Sequence, residues 1–517
     1  MNINNLYNFK NTIKHFINIE TMRLPNNLST IDISSLSWVE PINFRVKKNT
    51  DKFRTLKIPN ILNFVAAYEH FKNIPDIDNV QNLDPVHKRL SANVETGDFS
   101  VGEYDKQLKE DFEKLCVYDC LIKLDIKEYY GRIYTHKIDF QDYNENFLTN
   151  MNAGATNGLI MGNYLSLYFA ELNLTYISED IENEISNQGI ECEFSYFSDD
   201  FYFFCNKGNI EKVVQIFDKV LEKYELERNE AKRELWSYET FNNYNLVARY
   251  WKKLIAYSNL KYDEERNDNK LYFINQIIYR LSKLADEKLK KVFINSFFKT
   301  KYFQKLPLEK YQIKDYDYHQ LCFILKLSPE AMLYSINKFL EMESFDKNRL
   351  HRFFQVRYRD IVQIPFHEEQ LYYYYAIKLL EFDDILIENK DLVVKSENQL
   401  LISYYLMDRF FDDENINYLK QFKDEKYWFQ NYHLLLYNDE MRADLVSNIE
   451  KYLIPKRAKK VKQKNSYRSF YDKNLTSQIS VIRNIADVKD IITDYLYKRI
   501  EESEEAFEEN DEEDWDI

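Results

Sequence analysis

The chain has 517 residues, 45% hydrophobic and 16% aromatic, which excludes a disordered scaffold and is too long for one ordinary core. Its net charge of −15, with 85 acidic against 70 basic side chains, speaks against a stable duplex-binding footprint. Much of that charge sits in Glu501–Ile517, a run without a basic residue that is expected to be a solvated, disordered end.

The five cysteines (Cys116, Cys120, Cys192, Cys205 and Cys322) are odd in number and lack zinc spacing, which fits a reducing compartment. No leader-like segment and no apolar run of membrane-spanning length is visible, so the expectation is a soluble, cytoplasmic protein with no membrane partner.

In chain order, a basic run at Arg45–Lys57 precedes an amphipathic helix expected at about Pro59–Lys72, and residues 100–118 read as a second helix. Cys120–Ile126 (CLIKLDI) is expected to be a strand ending at Asp125. Gly162–Ile177 reads as a long helix, residues 191–205 as a β-hairpin and Ile210–Tyr224 as a periodic helix. Strand, helix, hairpin and helix in that order predict an α+β fold, an antiparallel sheet backed by helices. All eight glycines lie between Gly97 and Gly208, so the turns that need positive φ end there. From about Asn267 onward, apolar residues recur at helical spacing in segments roughly 35–45 residues apart. They predict an all-α, degenerate helical-repeat domain, with an irregular bundle as the alternative. Pro455–Arg468 holds seven basic residues and no acid, and reads either as a flexible loop or as a phosphate-tracking patch.

Within the hairpin, FSYFSDDFYFFC (Phe194–Cys205) sets Asp199 and Asp200 among aromatics, at its expected tip. Adjacent carboxylates repel by roughly 1 kcal/mol in water and by several times that when half buried, so an apolar setting calls for a cation. Asp125, at the end of the predicted neighbouring strand, supplies a third carboxylate.

These residues resemble the reverse transcriptases. LDIKEYYGRIYTH (Leu124–His136) is similar to the first palm motif, and GLIMGNYLSLYFAEL (Gly158–Leu172) to the glycine-flanked helix motif. FSDD (Phe197–Asp200) stands where the family has Y-x-D-D, NEAKREL (Asn229–Leu235) resembles N-x-x-K, and RTLKIP (Arg54–Pro59) resembles the fingers motif. The resemblance implies that Asp125, Asp199 and Asp200 are catalytic and hold two divalent cations, Mg²⁺ or Mn²⁺ in its place, for phosphoryl transfer. It also implies that Arg54, with Lys52 and Lys57, grips a triphosphate and that Tyr130 screens the sugar. Gly162 and Asn163 would lie against the nucleotide, and Lys232 would meet pyrophosphate.

The closer resemblance is to abortive-infection reverse transcriptases of the AbiK/AbiA type. It implies a fingers-like region (1–110), a palm (111–262), a helical-repeat, HEAT-like domain (263–500) and the acidic tail (501–517). The expected activity is a nucleotidyltransferase: untemplated, protein-primed polymerisation of deoxynucleoside triphosphates in antiphage defence. Its single-stranded DNA product would be attached to the protein, with homo-oligomers and a phage-protein trigger. The alternatives are a templated, retron-like reverse transcriptase and an inert palm-derived scaffold that senses a phage protein. Ile160 replaces the motif proline, Met161 stands where templated enzymes carry glutamine, and Phe197 replaces the motif tyrosine. For priming, any mobile hydroxyl qualifies, including those of Tyr467 and Tyr471 beside the basic stretch.

Overall fold

Alternating apolar residues and the two-residue turn at Ser198–Asp199 build the sheet that organises the first half of the chain. In a computed structural model, which describes residues 2–9, 12–25, 31–48, 52–90, 92–94, 97, 103–242, 271–284 and 286–511, six strands form two sheets. Strands β1 (Ile42–Lys47) and β2 (Phe53–Ile58) make a two-stranded sheet. Strands β3 (Cys120–Asp125), β4 (Cys192–Phe197), β5 (Asp200–Cys205) and β6 (Glu234–Trp236) pair antiparallel in the order β4-β5-β3-β6. The fold is therefore α+β, as expected.

The helices flanking this sheet form where the spacing predicts them. They are α1 (Ile61–Phe71), α2 (Glu103–Val117), α3 (Tyr164–Asn187) and α4 (Ile210–Lys223). Helix α3 runs ten residues past its expected end, because Ile181 and Ile185 keep its apolar stripe buried through a polar sequence. On one face of the sheet Phe201 and Phe203 of β5 pack on Phe217 of α4, with ring centroids 5.1 and 5.8 Å apart. On the other face Lys114 of α2 stands 5.3 Å from the Phe204 ring.

The chain divides into two compact units. Unit 1 comprises Met1–Asn43, Leu56–Asn242 and Phe422–Val481, and unit 2 comprises Phe44–Thr55, Asn243–Gln421 and Ile482–Ile517. The expected palm boundary at residue 262 lies outside the described residues. Residues 422–481, expected within the helical-repeat domain, cluster instead with the sheet. The reason is a set of polar anchors on helix α5 (Val461–Thr476), whose N-terminal turns take up part of the basic stretch that reads as a flexible loop or a phosphate-tracking patch. Tyr467 accepts from the Ser37 N–H at 3.1 Å and donates to Asn63 Oδ1 at 2.7 Å. Asn60 Nδ2 donates to the Tyr471 hydroxyl at 2.6 Å, and Asn474 exchanges hydrogen bonds with the backbone of Arg23. Tyr467 and Tyr471 are therefore core residues and do not present the mobile hydroxyls expected of a primer.

In unit 2 the helical repeat shows itself as a period in the contacts. Polar side chains bridge positions 33 to 35 residues apart again and again: Asn295–Glu330, Arg349–Asp315, Lys347–Glu381, Gln355–Glu388 and Tyr374–Asp408. A stack of helix pairs of nearly constant length produces such a series, whereas an irregular bundle does not. Tyr372–Tyr375 are buried in this stack, as expected. The last helix, Ile485–Asp511, continues into the acidic stretch expected to be disordered.

Among the described residues unit 1 holds the buried His15 and His433, and unit 2 the buried His367. His433 in unit 1 donates from Nδ1 to the Phe429 carbonyl, and His367 in unit 2 accepts on Nδ1 from the Arg45 N–H. Burial pushes both rings down to about 3, aided for His367 by the charge of Arg45. Since the folded values lie below the ordinary 6.5, the unfolded chain takes up protons first, and stability falls as pH drops from 6.5 toward 3. At about pH 5 each ring should cost about 2 kcal/mol relative to neutral pH. Burial also opposes charge on His87, but the bond to Asp84 and the charges of Asp84 and Glu182 raise it, so it works in the opposite sense. Urea unfolding at the two pH values should show the loss, and His433→Gln and His367→Gln should each reduce it. A flat profile would contradict the burial of these rings.

Candidate active site

The acidic residues meet at one end of the sheet. Strand β3 ends at Asp125, the register partner of Asp200 at the start of β5, and the Ile126 N–H donates to the Asp199 carbonyl at 2.9 Å. Ser198, at φ 54°, turns the chain between β4 and β5, so Asp199 sits in the turn and Asp200 already belongs to the strand. The hairpin expected at 191–205 is thus present, with Ser198–Asp199 at its tip.

Asp125 is 1% exposed. Its Oδ1 accepts from Asn229 Nδ2 at 2.8 Å, its Oδ2 accepts from the Lys232 ammonium, and its carbonyl accepts from the Asn229 N–H at 2.7 Å. Lys232 therefore faces the carboxylates in this structure. Asp200 Oδ2 pairs with Lys123 at 2.9 Å, while its Oδ1 is buried without a hydrogen-bond partner among the described residues. Burial, then the charge of Asp125, then that of Asp200 hold the Asp199 carboxyl above its ordinary value. That is the electrostatic mark of a carboxylate cluster short of positive charge.

Two residues at this end were not singled out in the sequence. Lys123 lies two residues before Asp125 and so shares its face of β3, a placement that the strand alternation contains. Asn229 opens the NEAKREL segment and serves Asp125 with both its backbone and its side chain.

The nucleotide-contact candidates are placed as follows. Tyr130 is half-buried and follows Tyr129, whose hydroxyl is spent on the Ala170 carbonyl at 2.7 Å inside the core. The Leu159 N–H donates to the Tyr130 carbonyl at 2.7 Å, so the glycine-flanked segment is laced to the segment after Asp125. Gly162, at φ 123°, needs a conformation that side-chain-bearing residues avoid. Asn163 is buried as the N-cap of α3, where its side chain accepts from the Ser166 N–H at 3.0 Å. The Lys57 N–H donates to the Met161 carbonyl at 3.1 Å and its ammonium to Asn152 Oδ1 at 3.1 Å. Lys52 and Arg54 belong to unit 2, where Arg54 is exposed on β2.

Among the described residues no group of three or more His, Cys, Asp or Glu side chains converges as a metal cage. Asp200 is engaged by Lys123, which leaves Asp125 and Asp199 as the pair that could share a cation. Two carboxylates, with phosphate oxygens and water completing the shell, form a donor set suited to Mg²⁺. Lys232 would then have to yield or share Asp125. No helix of the described residues is long and apolar enough to cross a membrane.

No family model and no curated relative matches the chain. Among solved structures it is similar to telomerase from Candida albicans in complex with a TWJ fragment of telomeric RNA, at 12% identity and a TM-score of 0.30, covering 74% of this chain and 64% of that one. Apo telomerase from Candida tropicalis gives 13% identity and a TM-score of 0.29, covering 79% of this chain and 70% of that one. The complex of the C. tropicalis enzyme with a TWJ fragment gives 14% identity and a TM-score of 0.28, with 71% and 64% covered. The chain thus spans less than two thirds of the first of these telomerases, and at such TM-scores the likeness carries no weight in reading the site.

Proposed function

We propose that the chain is a metal-dependent DNA polymerase of the reverse-transcriptase fold. It joins deoxynucleotides without a template, primed by one of its own hydroxyls, in antiphage abortive infection by a homo-oligomer that a phage protein triggers. The observation that carries this reading is the meeting of Asp125 with the Asp199 turn, inside the motif order running from RTLKIP to NEAKREL. When bound, Mg²⁺ supplies positive charge to the triphosphate and the attacking oxygen. Asp125 and Asp199 would hold it, Lys232 would pass from Asp125 to the departing phosphates, and Tyr130 would screen the sugar. With Tyr467 and Tyr471 buried, the priming hydroxyl belongs to an exposed residue, for which Tyr134, on the segment of Tyr130, qualifies.

One observation favours a second reading, an inert palm-derived scaffold: Lys232 already satisfies Asp125 where a cation would sit. Purified protein incubated with labelled deoxynucleotides and Mg²⁺ or Mn²⁺, without template or primer, separates the two. A protein–DNA adduct mapped by mass spectrometry is the expected result. No incorporation with either metal would favour the scaffold, and product copied from an added RNA would favour a templated, retron-like enzyme.

A further inference from the structure

The opposite end of the same sheet carries a feature with no part in the acidic site. Cys192, Cys205 and Cys120 lie in one transverse row across β4, β5 and β3, with Cys205 the register partner of both others. Cys205 and Cys120 are buried and Cys192 is half-buried, while Cys116 and Cys322 belong to helices. Three of the five thiols in one line across neighbouring strands place sulfur against sulfur.

The hydrogen-bond parity of the sheet distinguishes the two pairs. The Ile126 N–H donates to the Asp199 carbonyl, so positions 126 and 199 form the hydrogen-bonded type of antiparallel pair. Alternation along β3 and β5 makes Cys120 and Cys205, six residues on, the same type. The N–H and C=O of Cys205 therefore point toward β3, and the Cys120 thiol donates to the Cys205 carbonyl at 3.2 Å. Toward β4, Cys205 and Cys192 form the non-hydrogen-bonded type, whose Cα atoms lie about 4.5 Å apart with side chains drawn together. That spacing falls within the range a disulfide requires, about 4.4–6.8 Å.

We propose that Cys192 and Cys205 form a reversible cross-strand disulfide on exposure to a hydroperoxide, with Cys120 left as a thiol beside it. The half-buried Cys192 sulfur is the one an oxidant reaches. Its thiolate attacks one peroxide oxygen, the O–O bond breaks, and the departing hydroxide (or alkoxide) takes up the thiol's proton, leaving Cys192 as a sulfenic acid. The Cys205 thiolate then attacks the Cys192 sulfur, the S–O bond breaks, and the hydroxide leaves with the second proton as water. Two thiols are oxidised and one hydroperoxide is reduced. Hydrogen bonds from Cys192 and then Cys120 hold the Cys205 thiol below its ordinary value despite burial, which suits it to the second attack. The neighbouring Cys205, followed by burial, pushes Cys192 up, so the first step is slow beside that of a dedicated peroxide sensor.

The test uses the full-length wild-type protein treated with hydrogen peroxide, alkylated, digested without reductant and mapped by mass spectrometry. The expected result is one dominant cross-linked peptide joining Cys192 to Cys205, with both thiols lost to alkylation, Cys120 still alkylated after denaturation, and full reversal by dithiothreitol. In Cys205→Ser the cross-link should vanish and Cys192 should advance to sulfinic acid. A dominant Cys120–Cys205 cross-link, or over-oxidation of Cys192 in the wild-type protein without any cross-link, would overturn the proposal.

Discussion

Asp199→Asn should reduce deoxynucleotide incorporation by about three orders of magnitude or more while leaving the protein at least as stable as wild type. The two effects have one cause. Asp199 is held among carboxylates in a half-buried turn, where burial and then Asp125 and Asp200 raise its carboxyl. Because the folded value lies above the unfolded one, the ionised carboxylate is a penalty at neutral pH that acidification relieves. Asparagine keeps the shape and removes that charge, so stability should rise by about 0.5–2 kcal/mol. The same substitution removes the ligand that a cation needs opposite Asp125. Asp125→Asn behaves differently, because it takes away the partner of the Lys232 ammonium, a pair buried on one side only, and should cost about 1–2 kcal/mol. Wild-type incorporation should also decline as the pH falls through the raised value of Asp199. Paired incorporation assays and thermal melts of the two variants provide the check. Undiminished incorporation in Asp199→Asn would remove the polymerase reading, and a lowered melting temperature in that variant would remove the electrostatic one.

The strand ending at Asp125 was legible because CLIKLD is a short run rich in Leu and Ile, broken before Asp125 only by Lys123, and the hairpin because aromatics flank a short polar break. The helical stack was legible as recurring apolar segments, although its contact period of 33 to 35 residues is mostly just shorter than the spacing expected. What stayed hidden depended on partners far away in sequence. The charge of Pro455–Arg468 masked the helical spacing of Tyr467, Phe470, Tyr471 and Asn474, which are all buried. No local pattern marks Tyr467 as a partner of Ser37, 430 residues upstream. Nothing local in the sequence shows that Asp125, 107 residues upstream, lies within reach of Lys232.

The second large effect is expected from that distant pairing. Tyr467→Ala should destabilise unit 1 by about 3–5 kcal/mol, since it empties a fully buried ring site and strands the polar groups that met the hydroxyl. Tyr467→Phe keeps the ring and should cost about 1–3 kcal/mol, because the Ser37 N–H loses its acceptor while Asn63 Nδ2 still donates to the Ser37 carbonyl at 2.9 Å. The order of the two variants distinguishes packing from hydrogen bonding. The anchors of α5 run to residues 23, 36, 37, 60 and 63, so loosening the helix should expose the N-terminal segment to protease before the sheet itself melts. By the same reasoning, a chain cut after Gln421 should fail to hold unit 1 together even though every acidic-site residue precedes the cut. Urea unfolding with limited proteolysis provides the measurement. If Tyr467→Ala unfolds within about 0.5 kcal/mol of wild type, residues 422–481 do not clamp the sheet-bearing unit, and that unit folds without its C-terminal return.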